Sequence, residues 1–159
     1  MSLSGVFQVG YVTHDIERAI RHGGAVFGVQ DFTTMEIALP LQTPAGERQM
    51  SLRVATAWAG ALQFELIQPV SGYVEAYRQE LPDDPEDFVP RFHHLAVRRD
   101  DPDALAREIA DLALPVVFRT GGNGIASAFL DGRSRAGHHI EFVCADPSGR
   151  AMLGWPEAS

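Results

Sequence analysis

Apolar and polar side chains alternate along Val6–Val12 (VFQVGYV), the pattern of a strand with one buried face. The alternation stops at Thr13-His14-Asp15. Ile16, Ala19 and Ile20 then recur at helical spacing, with Asp15 placed to cap a helix. The same pattern returns later in the chain. Residues 92–97 (FHHLAV) read as a strand, Asp101 as a second cap with Pro102 at the first helical position, and Leu105, Ile109 and Leu112 as an apolar stripe. Three strand-like runs follow each helix: 32–39, 50–58 and 61–67 after the first, then 116–119, Ile125–Leu130 and 138–144 after the second. Breaker residues separate them, among them Thr120-Gly121-Gly122-Asn123-Gly124 and Asp131-Gly132. The order β-α-β-β-β occurs twice, so the chain is a duplicated module.

The duplication predicts an α+β fold in which two βαβββ modules form a cupped sheet around one cleft, with the helices outside. Residues 5–68 form the first module and 91–145 the second. Residues 69–90 read as a connector without chemistry, with a short helix over 74–81 and an acidic, solvated stretch over 82–87. Residues 146–159 read as a surface tail. The Gly121–Gly124 stretch follows a strand but opens no helix, so it reads as a hairpin or lid and not as a phosphate loop.

Strand alternation sorts the polar groups by face. Phe7, Val9 and Tyr11 share one side of the first strand and Gln8 the other. Leu62, Phe64 and Leu66 face the helices, and Glu65 lies opposite. His93, Leu95 and Val97 share the helix side, leaving His94 and Ala96 on the concave side. Ile140, Phe142 and Cys144 face the helices, while Glu141 points away with His139 and Val143. Gln8 and His94 each stand seven residues before a capping aspartate, and Glu65 and Glu141 each sit mid-strand at the end of a module. A pseudo-twofold between the modules would bring all four together. Carboxylates buried mid-strand are costly unless paired or bound to a metal. One imidazole, two carboxylates and an amide oxygen suit a divalent ion such as Zn, Ni, Co or Mn. Arg98 falls on the His94 face and is a candidate clamp for an anionic substrate, with His139 a further substrate-side candidate beside Glu141.

Composition narrows the classes. The chain has 159 residues and a net charge of −8, from 13 basic against 21 acidic side chains, and every basic residue is Arg. That excludes a Schiff-base lysine, a PLP anchor and a P-loop lysine, and it argues against nucleic-acid or anionic-membrane binding. The single cysteine, Cys144, excludes an internal disulfide and a cysteine-rich zinc site, and its apolar surroundings predict a small buried hydrophobe. No apolar run reaches membrane-spanning length and no signal segment opens the chain, so a cytoplasmic protein is expected.

The stretches FQVGYVTHD, LQFELIQP, RFHHLAVRRDD and GHHIEFV, in that order on a duplicated frame, resemble the vicinal oxygen chelate superfamily. That superfamily includes glyoxalase I, methylmalonyl-CoA epimerase, extradiol dioxygenases and bleomycin-resistance proteins. The resemblance covers about residues 6–145 and implies metal ligands at Gln8, Glu65, His94 and Glu141. It implies proton transfer next to a carbonyl of a small molecule, as in an isomerase, epimerase or lyase, with Glu141 as principal base and Glu65 its partner. Many relatives carry His where Gln8 stands, which disfavours the iron-dioxygenase triad. The asparagine that glyoxalase I uses toward glutathione has no counterpart in Ile67-Gln68-Pro69-Val70. The competing class is a metal-free module that sequesters a small molecule in the same cleft. A homodimer is expected, because cupped sheets leave edges for a partner to cover.

Overall fold

In a computed structural model, which describes residues 4–155, the modules run as follows. The first is β1 (Val6–Val12), α1 (Ile16–Phe27), β2 (Thr33–Thr43), β3 (Gly46–Ala59) and β4 (Leu62–Gly72). A short helix α2 (Glu75–Arg78) leads to the second: β5 (Arg91–Arg99), α3 (Pro102–Leu112), β6 (Val116–Gly122), β7 (Ile125–Leu130) and β8 (His139–Ala145). A turn of helix, α4 (Arg133–Ala136), interrupts the β7–β8 connection, and α5 (Pro147–Met152) follows β8.

The helices start where the sequence places their caps. Asp15 accepts from the Arg18 amide at 2.9 Å, and Asp101 accepts from the amides of Asp103 and Ala104 at 2.8 and 3.0 Å. Helix α1 lays Ile16 and Ala19 on Ala55 and Leu66, and α3 lays Leu105 and Ile109 on Val97, Leu130, Ile140 and Phe142. Cys144 belongs to this second cluster as a buried free thiol.

The eight strands close completely, in the order β1-β4-β3-β2-β6-β7-β8-β5. The expected cup is thus a barrel, with two seams between modules. One is the antiparallel β1–β5 pair and the other joins β2 to β6 at Gln42 and Arg119. The β1–β5 seam is paired along its length, while β2 meets β6 at one matched pair and keeps most of its outer edge without a strand partner among the described residues. Inside, Leu41, Leu52, Val54, Ile67, Phe118 and Phe129 fill one end, and Tyr77 of α2 plugs it. The other end opens as a cavity of about 490 Å³.

Three expectations are corrected. The connector is not chemically idle, because α2 packs under the site. The tail is not surface: Asp146 caps α5 through the Gly149 amide at 2.8 Å, and Trp155 is buried against Phe7, their rings 4.9 Å apart. Residues 156–159 of that tail lie outside the described residues. Finally, Phe7 and His93 break strict alternation. The β1–β5 pairing slips between Val6 and Gln8 and again between Gly10 and Tyr11, and each irregularity turns an extra side chain inward. Phe7 therefore lines the cavity, and His93 joins the barrel floor. No described helix is long and apolar enough to cross a membrane.

Candidate functional site

The strand register assembles the site. Glu65 pairs with Gly10 across β4–β1, and Gly10 pairs with His94 across β1–β5, so the three lie in one row. Glu141 pairs with Ala96, two residues beyond His94, from β8. Gly10 is the spacer in this row. A Cβ there would fall on the His94 imidazole, so the glycine is what lets the ring lie between the strands.

His94 Nε2 lies 3.5 Å from Glu65 Oε2 and 3.7 Å from Glu141 Oε2. The carboxylates keep 16% and 22% of their side-chain surface, which opens onto the cavity, while His94 is 1% exposed beneath them. Gln8 lines the same cavity, with its amide donating to Gln63 Oε1 at 2.7 Å. Its own carbonyl oxygen takes no part in that bond. Of the four residues expected to converge, Glu65, His94 and Glu141 meet directly, and Gln8 stands on the adjacent wall.

His93 sets the state of His94. Its Nε2 lies 3.0 Å from the Ala76 carbonyl, which can only accept, so Nε2 carries the proton. Burial holds the His93 ring well down, at about 3, so it is neutral and its Nδ1 is a bare acceptor. The Nδ1 of His94 sits 3.2 Å from that acceptor and must be the donor. Burial, with His93 and His139 beside it, pushes His94 well below its ordinary value, so this ring is neutral too. Its Nε2 therefore presents a lone pair toward two carboxylates. That nitrogen is buried and has no hydrogen-bond partner. Three acceptor groups facing one another need a proton or a cation between them: a protonated carboxyl can serve one contact, and a divalent ion would serve all three.

The carboxylates respond to the same crowding. Burial, then the Glu141 charge, raises Glu65 to about 8. Burial raises Glu141 to about 7, against the pull of a hydrogen bond from Ser127. The Ser127 hydroxyl is itself 2.9 Å from Thr120 Oγ1, so a short relay fixes Glu141 from the β6–β7 hairpin. Thr120, Gly121, Gly122 and Asn123 of that hairpin rim the cavity, as the hairpin-or-lid reading expects.

The two substrate-side candidates fall elsewhere. Arg98 lies outside the cavity lining, its guanidinium 4.0 Å over the Trp155 ring, because the buried tail occupies the space it would reach into. His139 is 1% exposed and stacked 4.6 Å from His93 and 5.2 Å from Phe129, so it belongs to the floor. Strand parity makes His93 only a rival to His94 and turns it to the helix side, and nothing in the sequence points to Tyr77; the structure brings both to the floor of the site. The HH pair was visible, but the strand irregularity that brings both rings inward was not.

The donor set fits a divalent ion: one neutral imidazole with an orphaned nitrogen, two carboxylates converging on it, and an amide oxygen nearby. Among the described residues, no three His, Cys, Asp or Glu side chains are placed so as to hold a metal ion as they stand, so the fit is one of donor types. The carboxylates converge on His94 at the distances above without enclosing it.

A family model described as Glyoxalase/Bleomycin resistance protein/Dioxygenase superfamily matches residues 7–129. Among solved structures, a variant of Streptomyces coelicolor methylmalonyl-CoA epimerase in complex with 2-nitronate-propionyl-CoA is 22% identical, with a TM-score of 0.65 over 93% of this chain and 99% of that one. Methylmalonyl-CoA epimerase from Mycobacterium tuberculosis is 20% identical, TM-score 0.59, over 93% and 92%. A mutant 4-hydroxymandelate synthase from Streptomyces coelicolor is 16% identical, TM-score 0.54, over 89% of this chain and 48% of that one. At these identities the likeness carries the fold. No curated protein matches the chain. The family match spans most of both modules, and the chain belongs to the glyoxalase/bleomycin resistance/dioxygenase superfamily, the vicinal oxygen chelate group its motifs resemble.

Proposed function

We propose that this protein is a metal-dependent enzyme that moves a proton on the carbon next to a carbonyl, as an isomerase, epimerase or lyase of a small molecule. The observation that carries the reading is the orphaned His94 Nε2, its lone pair turned toward Glu65 and Glu141. His94, Glu65, Glu141 and the Gln8 carbonyl would hold one divalent ion, with Zn, Ni, Co and Mn all compatible with the donors. Such an ion, when bound, supplies Lewis acidity to a carbonyl oxygen and to the charge that develops on it.

The chain's own groups handle the proton. Glu141, which opens onto the cavity, is the group placed to accept the α-proton, and the Ser127 hydroxyl holds its carboxylate in place. Glu65 comes from the opposite module. Return of the proton by Glu141 to the neighbouring carbon, on the same face, gives an isomerisation. Delivery to the opposite face of the α-carbon of a proton that Glu65 already holds gives an epimerisation, leaving Glu141 protonated and Glu65 bare. The apolar walls, Phe7, Ile37 and Val143 among them, exclude water from the reacting carbon.

The same apolar walls, and the open arrangement of the carboxylates, favour a second reading: a module that sequesters a small molecule without chemistry. Proton exchange in D₂O separates the two. NMR over a panel of hemithioacetals, acyl-CoA thioesters and hydroxyketones should show α-proton exchange with wild type on at least one member. Glu141→Gln keeps an oxygen ligand but loses basicity, so exchange should fall roughly 10²–10⁴-fold while metal stays bound. Binding without exchange by either protein contradicts the enzyme and favours sequestration.

A further inference from the structure

We infer that the cavity takes an uncharged, mainly apolar carbonyl compound, and that coenzyme A esters and other anions are poor ligands. The inference rests on the reading above and narrows its substrate class. Among the described residues, none of those lining the cavity is Arg, and the chain has no Lys anywhere. The arginines near its strands are turned away or occupied. Arg53 lies 2.8 Å from Glu17, and Arg98 lies over Trp155. Arg119 stands between Phe118 and Thr120, which both face inward, so alternation turns it out.

Apart from the polar groups around Glu65 and Glu141 and the Thr120–Asn123 rim, the lining is apolar. Met35, Ile37 and Leu39 of β2 face Ile125 and Val143 of the second module, and Met152 and Leu153 of the tail complete the wall. The centre offers a separate charged group little. Glu65 and Glu141 repel an anion when bare, and a divalent ion there would be taken up by the reacting carbonyl oxygen, leaving a phosphate or carboxylate elsewhere on the ligand without a partner. The net charge of −8 opposes the approach of anions from solution. A phosphate or a second carboxylate would therefore be desolvated without a partner. A neutral ketone, by contrast, places its oxygen at the polar end and its carbon body on the β2 wall.

The test is a matched pair. Hydroxyacetophenone, its ring-carboxylated analogue and propionyl-CoA are titrated by calorimetry into the full chain, with and without Zn²⁺, and competition is followed by saturation-transfer NMR. The neutral ketone should bind about tenfold or more tighter than its carboxylated analogue, since an unmatched like charge costs several kcal/mol. Met35→Arg puts a cation on a wall position that is 42% exposed, so the fold should tolerate it, and it should raise affinity for the carboxylated analogue several-fold. Equal or tighter binding of the analogue or of propionyl-CoA to wild type overturns the inference, and so does failure of the neutral ketone to bind at millimolar concentration. Proton exchange keeps the two claims apart. Exchange on an anionic panel member sinks this substrate class and leaves the enzyme standing. Neutral preference without any exchange sinks the enzyme and leaves the cavity's selectivity.

Discussion

The proton inventory of three residues decides what the site can hold. The Ala76 carbonyl fixes His93, His93 fixes His94, and His94 is left with a lone pair where two carboxylates meet. His93→Phe keeps the ring that stacks on Tyr77 and His139 but removes the acceptor. If His94 binds a metal, affinity should fall about 10–100-fold by calorimetry, beyond the drop in melting temperature expected from leaving the Ala76 carbonyl and the His94 Nδ1–H without a partner. Unchanged affinity would mean that His93 only packs. Gly10→Ala should act on the same ring by steric means, costing roughly 1–3 kcal/mol in urea unfolding and displacing His94. Alternation put Gln8, Glu65, His94 and Glu141 on the inner side, Glu65 and Glu141 in regular pairing and Gln8 and His94 at the borders of the two slips. It put Phe7 and His93 on the wrong side, because an irregular pairing leaves no trace in periodicity when both neighbouring residues are plausible on either face.

Among the elements, the β6–β7 hairpin and the tail do most to shape the cavity. Ser127 on β7 holds Glu141 down against burial. Ser127→Ala removes that hydrogen bond, so the Glu141 carboxyl should rise further and the acidic limb of the exchange profile, where Glu141 becomes a base, should move to higher pH. A profile that drops in rate without moving would make Ser127 merely structural. Trp155→Ala should cost about 3–5 kcal/mol by urea unfolding, since the indole is buried against Phe7 and Arg98 packs across it. Helices α1 and α3 were legible from their aspartate caps and apolar stripes. The role of α5 was not, because Met152, Leu153 and Trp155 lie among glycines with no periodic pattern. Likewise α2 looked like part of a linker, and only the closed barrel gives its Tyr77 and Ala76 something to plug.

The whole molecule responds to pH through its buried groups. Glu65 and Glu141 hold protons at about 8 and 7, against 4.5 for an ordinary glutamate, so in metal-free protein the folded state binds more protons than the unfolded one above pH 4.5. Stability from these two groups is fully present below 4.5 and is lost as pH rises through 7 and 8. The lowered His93 and His94 act oppositely, but only below their ordinary 6.5. Metal-free protein should therefore lose melting temperature between pH 6.5 and 8, and a divalent ion, which displaces those protons, should reverse the slope. A flat or rising metal-free profile would contradict the buried carboxylates. Barrel closure was the least legible feature at this scale. The β2–β6 seam is a non-local pairing with one matched pair, Gln42 and Arg119, and neither residue type announces it.

His94, between Glu65 and Glu141, is the proposed nitrogen ligand of a divalent ion. Elemental analysis of purified, dialysed wild type and His94→Ala, each reloaded with Zn²⁺ after chelation, tests it directly. About one ion per wild-type chain, with His94→Ala retaining little or none, is the predicted result. Metal-free wild type after reloading, or equal metal in both proteins, would contradict it.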